Sequence, residues 1–126
     1  MKIIGIDWGE AKIGLAWTDG VLAEPLAVIR PDQLKVFVDQ YQPDLILVGI
    51  SENKSGQKAR VFGKKLQEEV GIKVKFVDES LTTKEAQILS REAGIGRKRR
   101  RDMEDAYAAT ILLQNYLDMV LDRVSP

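Results

Sequence analysis

Residues 3–17 read IIGIDWGEAKIGLAW, two short apolar segments separated by a polar turn. The isoleucines of the first segment predict a strand that ends at Asp7. Residues 13–17 predict a second strand, which the turn residues Asp19 and Gly20 close. Because only a short turn separates the two strands, we expect them to pair as an antiparallel hairpin. Asp7 then lies at the turn end of that hairpin.

The remainder of the chain predicts strands that alternate with helices. We expect a third strand at residues 26–29, a helix from Pro31 to Tyr41, a buried strand at 45–49, a helix with Ala59, Phe62, Leu66 and Val70 on one face, and a strand at 72–77. A capping box at residues 82–85 starts a helix that ends near Gly94, and a basic loop leads to a last helix from about Asp102. This order predicts an α/β fold with a mixed five-stranded sheet and helices on both faces, in a single domain spanning residues 1–126.

The composition excludes several classes of chemistry. The chain has no cysteine and no histidine, which rules out thiol nucleophiles, thiolate metal sites and an imidazole base. Catalysis must then depend on carboxylates, hydroxyls, Lys, Arg, Tyr or a bound metal, and carboxylate oxygens favour Mg²⁺ or Mn²⁺. No apolar run approaches the roughly 20 residues that span a bilayer, and no signal-peptide cleavage site follows the N-terminus. We therefore expect a cytoplasmic protein without membrane contact.

Three predicted elements each bring an acidic residue to the same edge of the sheet. Asp7 ends the first strand, Glu79 follows the fifth with Asp78 beside it, and Asp105 lies on the apolar stripe of the last helix. Carboxylates gathered in a cleft repel one another unless a cation lies between them. Each acid also has an ordinary interpretation as a turn or loop residue, and Asp102 is a candidate N-cap with Asp105 in the first turn. The coincidence of all three favours a metal site.

A block of basic residues precedes the last helix. The net charge is zero, with 19 Lys and Arg against 19 Asp and Glu, so only the charge distribution can support nucleic-acid binding. The block consists of Arg97, Lys98, Arg99, Arg100 and Arg101. Such a run either grips a nucleic-acid backbone or forms a solvated surface segment. Lys12 is a further candidate for a phosphate contact.

Three motifs are similar to those of the YqgF family. Residues 4–9 (IGIDWG) with 12–16 (KIGLA) resemble its opening motif, residues 78–86 (DESLTTKEA) its second, and residues 105–109 (DAYAA) with 111–117 (ILLQNYL) its last helix. The resemblance covers nearly the whole chain and implies an RNase H-like fold with Asp7, Glu79 and Asp105 as the catalytic and metal-binding set. The chain departs from the family at Ser80, where Arg is common, and at residues 49–51 (GIS), where Gly-Leu-Pro is common. The lost arginine removes a plausible phosphate contact.

That family is described as Holliday-junction-resolvase-like and as a pre-16S rRNA nuclease family. The resemblance implies a Mg²⁺- or Mn²⁺-dependent nuclease that hydrolyses phosphodiester bonds, with the 5′ end of pre-16S ribosomal RNA as the expected substrate. By hypothesis Asp7 anchors two cations about 4 Å apart, and Glu79 and Asp105 each fix one. The alternatives are a branched-DNA resolvase, a non-catalytic RNA-binding module, and a nucleotide-binding enzyme of the actin and sugar-kinase type, which usually needs two such domains. Nucleic acid is the expected partner, and the chain is expected to be a monomer or a homodimer.

Overall fold

The computed structural model describes residues 1–50, 54–78 and 97–124 of the chain. In chain order, the described elements are β1 (Ile3–Asp7), β2 (Ile13–Thr18), β3 (Glu24–Ile29), a 3-10 turn (Pro31–Gln33), α1 (Leu34–Tyr41), β4 (Leu45–Ile50), α2 (Lys54–Val70), β5 (Lys73–Asp78) and α3 (Arg97–Val124). The capping box at residues 82–85 and the helix that was expected to follow it lie outside the described residues.

The five strands form one mixed sheet in the order β3-β2-β1-β4-β5. β1 pairs antiparallel with β2 and parallel with β4, and β4 pairs parallel with β5. The mixed five-stranded sheet and the antiparallel hairpin at its start are therefore confirmed. Because β1, β4 and β5 run in the same direction, their C-terminal ends lie at one edge of the sheet, where ligands of such sheets usually bind.

Helices cover both faces of the sheet, as expected. On one face, the side chains of Ile4 and Ile6 pack in a core that includes residues of α1 and α2. On the other face, Ile3 packs with Leu113 and Leu117 of α3. Since successive strand residues alternate between faces, the odd-numbered residues of β1 face α3. This alternation decides which acidic side chains lie on the same face of the sheet.

The segment predicted to be a basic loop is helical. α3 begins at Arg97, so the backbone of the basic block forms its first turns, and Asp102 lies inside the helix. The expectation of a loop and the interpretation of Asp102 as an N-cap are both wrong. Arginine and lysine have high intrinsic helix propensity, and a run of them continues a helix without any apolar stripe to reveal it.

Two smaller expectations also need correction. β3 begins at Glu24, two residues before its predicted start, and Pro25 lies within the strand. Proline is tolerated because β3 is an edge strand and its register with β2 shifts at this point. Val120, which was assigned to the apolar stripe of the last helix, is 37% exposed. Among the described side chains, the buried part of that stripe ends at Leu117.

Within the described segments, no helix has both the length and the hydrophobicity needed to cross a membrane.

Candidate active site

Asp7 is the last residue of β1, and its side chain belongs to the face that α3 covers. Ile3, Gly5 and Asp7 are alternate residues of β1 and therefore face the same side of the sheet. A Cβ atom at Gly5 would lie 3.1 Å from the Cβ of Leu113 and 3.3 Å from the carbonyl oxygen of Ala109, so α3 passes directly over this face. Asp7 is half-buried at the end of the strand. Its carboxylate therefore lies on the α3 side of the sheet.

Asp105 reaches the same place from α3. In the hairpin, Asp7 is the register partner of Gly14. A Cβ atom at Gly14 would overlap the backbone carbonyl group of Asp105 and lie 2.6 Å from the amide nitrogen of Ala106. The backbone of Asp105 thus rests directly on the strand residue beside Asp7, whose Cα is about 5 Å away from that of Gly14 in such a pair. The structure brings Asp7 and Asp105 together.

Asp7 has no side chain beside it on either neighbouring strand. Its register partner on β2 is Gly14, and its register partner on β4 is Gly49. Both glycines belong to the row of the sheet that contains Asp7, so no side chain from β2 or β4 flanks Asp7 in this row. Glycine within a strand often marks the close approach of a ligand or another backbone segment. At Gly14 that segment is α3.

Glu79, the third predicted acid, follows β5 directly and lies outside the described residues, so its placement stays a prediction. Val77, two residues earlier, is the register partner of Gly49 and packs in the core on the α3 side. Asp78 pairs with Ile50 and, by strand alternation, projects to the opposite face. Alternation therefore separates Asp78 from the face that Asp7 shares with α3. Asp102 lies one helical turn before Asp105 and is exposed.

Lys12, predicted only as a phosphate contact, contacts one of the acids. Its Nζ atom lies 3.3 Å from Oδ2 of Asp105. The side chain of Lys12 is 60% exposed, whereas that of Asp105 is 29% exposed. The ammonium group of Lys12 thus lies next to the carboxylate of Asp105. This arrangement is expected where a carboxylate is only partly solvated.

The turn that carries Lys12 is anchored on the other side of the sheet. A Cβ atom at Gly9 would lie 2.7 Å from the carbonyl oxygen of Lys12, so only glycine allows this tight path. The ring of Trp8 packs on that of Phe62 in α2, with 6.1 Å between centroids. Glu10 also forms an ion pair with Lys58 of α2, but both side chains are exposed, so this pair adds little to the anchoring. The contacts of Gly9 and Trp8 fix the backbone of the turn independently of the Lys12 side chain.

The donor chemistry at this edge suits a hard divalent cation. The described acids on the α3 face offer carboxylate oxygens, which are the ligands that Mg²⁺ and Mn²⁺ prefer. Within residues 1–50, 54–78 and 97–124, no group of three potential metal-binding side chains comes together. Asp7 and Asp105 therefore form an incomplete pair, to which the predicted contribution of Glu79 would add a third carboxylate.

The basic block lies close to this pair along α3. With a rise of about 1.5 Å per residue, the Cα atoms of residues 97–101 lie about 6–12 Å from that of Asp105 along the helix axis. The predicted nucleic-acid contacts of Arg97, Lys98, Arg99, Arg100 and Arg101 stay predictions, because their side chains are outside the described part of the structure.

Two features of the site were not found from the sequence. Neither the ion pair between Lys12 and Asp105 nor the contact of Gly14 with α3 was predicted. A glycine inside a predicted strand was the available signal for the second feature. The first depends on how α3 is rotated against the sheet, which no local pattern reports.

Comparison with known proteins identifies the family. A family model described as "RuvX: Holliday junction resolvase" matches residues 1–119. The chain belongs to the RuvX family. This is the YqgF family that the sequence motifs indicated. Relatives described as "Putative pre-16S rRNA nuclease" support the assignment to RuvX: one from Clostridium beijerinckii is 37% identical, with 95% of this chain and 98% of the relative covered. Another, from Dictyoglomus thermophilum, is 39% identical over 94% of this chain and 96% of its own length.

Solved structures confirm the RNase H-like fold of this RuvX chain. The Fowlpox virus resolvase, solved with Holliday junction DNA, superposes with a TM-score of 0.69 at 14% identity, covering 96% of this chain and 99% of the resolvase. RuvC from T. thermophilus, solved with a Holliday junction substrate, gives a TM-score of 0.58 at 16% identity, covering 94% and 96% of the two chains. At these identities the likeness shows the fold alone.

Proposed function

We propose that this chain is a divalent-cation-dependent nuclease that hydrolyses phosphodiester bonds in the precursor of 16S ribosomal RNA. Its relatives carry that name, and the chain matches them over nearly their whole length. A nuclease of ribosomal RNA precursors works in the cytoplasm, where we propose this chain acts. The proposal requires a site that binds cations and a surface that holds nucleic acid.

The observation that carries the proposal is the contact between Gly14 and the backbone of Asp105. It supports a site in which an acid of the last helix lies beside Asp7, the acid that ends β1. Carboxylates gathered at one edge of a sheet repel each other unless cations lie beside them, so this placement supports a cation site.

Asp7, Asp105 and Glu79 are the residues that would hold the cation or cations. A bound divalent cation would supply a Lewis acid that activates water for attack on phosphorus and stabilises the leaving oxygen. The chain's own contribution is to fix the carboxylates. The backbone of Asp105 is held on β2, and Asp7 is held by the ladder between β2 and β4. Because the chain has no histidine, water activation by carboxylate-bound cations fits its composition.

The substrate backbone would lie along the first turns of α3. The block of residues 97–101 precedes Asp105 in the same helix, so positive charge and acidic site share one element. Phosphate contacts of this kind hold and orient nucleic acid but do not read its sequence. We therefore propose that cleavage position depends on the structure of the RNA around the scissile bond.

Cleavage of branched DNA is the second candidate function. It is favoured by the description of the family model and by the likeness of the fold to two junction resolvases. The same acids would serve both reactions, because phosphodiester hydrolysis in RNA and DNA needs the same charge stabilisation. The two candidates differ in substrate shape and not in the chemistry of the site.

A cleavage panel with Mn²⁺ tests the proposal. Precursor 16S RNA, unstructured single strands and four-way DNA junctions are incubated with the unmodified protein, Asp7→Asn and Asp19→Asn. Asp19 is an exposed acid that follows β2 at the end of the hairpin opposite Asp7, which makes it the matched control. We expect cleavage of the precursor RNA by the unmodified protein and by Asp19→Asn, and none by Asp7→Asn, although Asp7→Asn still binds RNA.

Other results decide between the alternatives. Cleavage of four-way junctions in preference to RNA selects the resolvase. Binding without cleavage by the unmodified protein, with Mn²⁺ and with Mg²⁺, selects the non-catalytic RNA-binding module and contradicts the nuclease proposal.

A further inference from the structure

We propose that Lys12 is a built-in counter-cation of the site, whose ammonium group is exchanged between Asp105 and a phosphate of the bound nucleic acid. In the protein without divalent cation, Lys12 neutralises Asp105. When a divalent cation takes Asp105, the ammonium group moves to the substrate backbone. Nucleic acid would then make cation binding easier. This inference rests on the proposed function, because it assigns a divalent cation to Asp105.

The first support is the asymmetry of the pair. The Nζ of Lys12 lies 3.3 Å from Oδ2 of Asp105, yet 60% of the lysine side chain is exposed against 29% of the aspartate. The lysine therefore has a path into solvent along which its ammonium group can move. Asp105 has no such freedom in its backbone, which rests on Gly14. The backbone of Asp105 is fixed, whereas the ammonium group of Lys12 can move away from the carboxylate.

The second support is the way the backbone of Lys12 is held. Gly9 packs against its carbonyl oxygen, and Trp8 packs on Phe62. Both contacts bear on the turn and neither involves the lysine side chain. A lysine on an anchored turn keeps its Cα in place while four rotatable bonds move its charge over several ångströms. The turn thus provides a fixed base for a mobile ammonium group.

The third support is electrostatic. An ammonium group and a divalent cation cannot both contact one carboxylate without strong repulsion, since like charges a few ångströms apart repel even in partly solvated surroundings. The pair must therefore open when Asp105 binds a cation. Lysine without a carboxylate partner is a strongly hydrated point charge with three donors, which is the chemistry that binds a phosphate oxygen. Lys12 lies at the same sheet edge as the acids, where the scissile phosphate would bind.

The size of the effect follows from the exposure of the pair. Exposed ion pairs of this kind are weak. Removing the ammonium group of Lys12, which competes with Mn²⁺ for Asp105, should therefore tighten Mn²⁺ binding by about two- to fivefold rather than by orders of magnitude. The change should be absent when nucleic acid has already drawn the ammonium group away. A purely structural ion pair would instead alter stability and leave the affinity for Mn²⁺ unchanged.

Isothermal titration of Mn²⁺ into four proteins tests this inference without measuring activity. The proteins are the unmodified chain, Lys12→Met, Lys12→Arg and Lys58→Met. Methionine keeps most of the aliphatic stem without the charge, and arginine keeps the charge. Lys58 is the matched control, because it is 61% exposed and pairs with a carboxylate, Glu10, on the α2 side. Each titration is repeated with a cleavage-resistant 2′-O-methyl phosphorothioate oligonucleotide bound.

We expect Lys12→Met to bind Mn²⁺ about two- to fivefold more tightly than the unmodified chain, with Lys12→Arg and Lys58→Met unchanged. With the oligonucleotide bound, the difference between Lys12→Met and the unmodified chain should vanish. Equal Mn²⁺ affinity of these two proteins in the free state, or an equal change in Lys58→Met, overturns the exchange and leaves the nuclease proposal standing. No Mn²⁺ binding by the unmodified chain overturns both.

Discussion

Gly14 is the residue on which the geometry of the site depends. Its missing side chain allows the carbonyl group of Asp105 to rest against β2, beside the register partner Asp7. Gly5 has a similar role further along the same face, where a Cβ atom would lie 3.1 Å from that of Leu113. The helix therefore lies closer to these strands than side chains of any size would allow.

The substitution Gly14→Ala should separate α3 from the sheet at the site. The added methyl group has no space, and overpacking of this kind lowers the free energy of unfolding by about 1–3 kcal/mol. Because the displaced residue is Asp105 itself, we also expect Mn²⁺ binding to weaken. Urea denaturation measures the first effect, and isothermal titration of the folded protein measures the second.

Gly63→Ala is the matched control for this substitution. A Cβ atom at Gly63 would lie 2.6 Å from the ring of Phe76, on the opposite face of the sheet. It should lower stability in a similar way while leaving the Mn²⁺ affinity of the folded protein unchanged. If Gly14→Ala also bound Mn²⁺ with unchanged affinity, the contact at Gly14 would not be what positions Asp105.

At the scale of single residues, the sequence predicted where Asp7 and Asp105 lie in the fold better than it predicted what surrounds them. Asp7 was expected to end a strand because an apolar segment precedes it, and Asp105 was expected to face the sheet because it lies within an apolar helical stripe. The partner of Asp105, Lys12, was not found, because the pair joins a turn to a helix more than ninety residues away. That contact depends on the rotation of the helix about its axis, which periodicity does not determine.

The start of α3 shows where sequence patterns fail at the scale of an element. A run of five basic residues has no apolar period, so it was expected to be a loop, yet the helix begins at Arg97. High helix propensity decides the outcome where packing gives no signal. In contrast, α1 and β4 were predicted close to their observed bounds, because periodicity marks the first and continuous hydrophobicity the second.

The basic block should make nucleic-acid binding dependent on salt. Neutralising Arg99 and Arg100 together removes two candidate phosphate contacts, and each lost contact should flatten the slope of log affinity against log salt by about 0.7 for single strands. Fluorescence anisotropy with a labelled RNA over a range of KCl concentrations measures the slope. The double variant Lys64→Ala, Lys65→Ala is the control, since both lysines are exposed on α2. An unchanged slope in the arginine variant would make the block a solvated surface segment.

Gln114 ties α3 to the turn between β2 and β3. Its Oε1 atom accepts a hydrogen bond of 2.8 Å from the amide of Ala23, and its Nε2 atom donates to the carbonyl oxygen of Val21. Since Ala23 is buried, Gln114→Ala leaves its amide without a partner and should cost about 1–3 kcal/mol of unfolding free energy. Urea denaturation should show almost no change for Asn115→Ala, its exposed neighbour. Equal effects of the two substitutions would contradict this role.

At the scale of the whole molecule, the order of the strands determines where the proposed site lies. β1 and β5 lie on either side of β4 and run parallel to it, so the chain segments that follow all three emerge at one edge. This arrangement was predictable, because a hairpin followed by alternating strands and helices allows few topologies. The packing of α3 across β1 and β2 then adds an acid from outside the sheet. Net charge gives no information about the position of the site, since acidic and basic residues are equal in number over the chain.

Anomalous X-ray scattering from crystals grown with Mn²⁺ tests most directly whether Asp7, Glu79 and Asp105 share a cation. We expect a manganese peak at the C-terminal edge of β1, within bonding distance of carboxylate oxygens from all three residues, and no such peak in crystals of Asp7→Asn. Manganese bound elsewhere with this edge empty, or a Glu79 carboxylate directed to the opposite face of the sheet, would contradict the shared site.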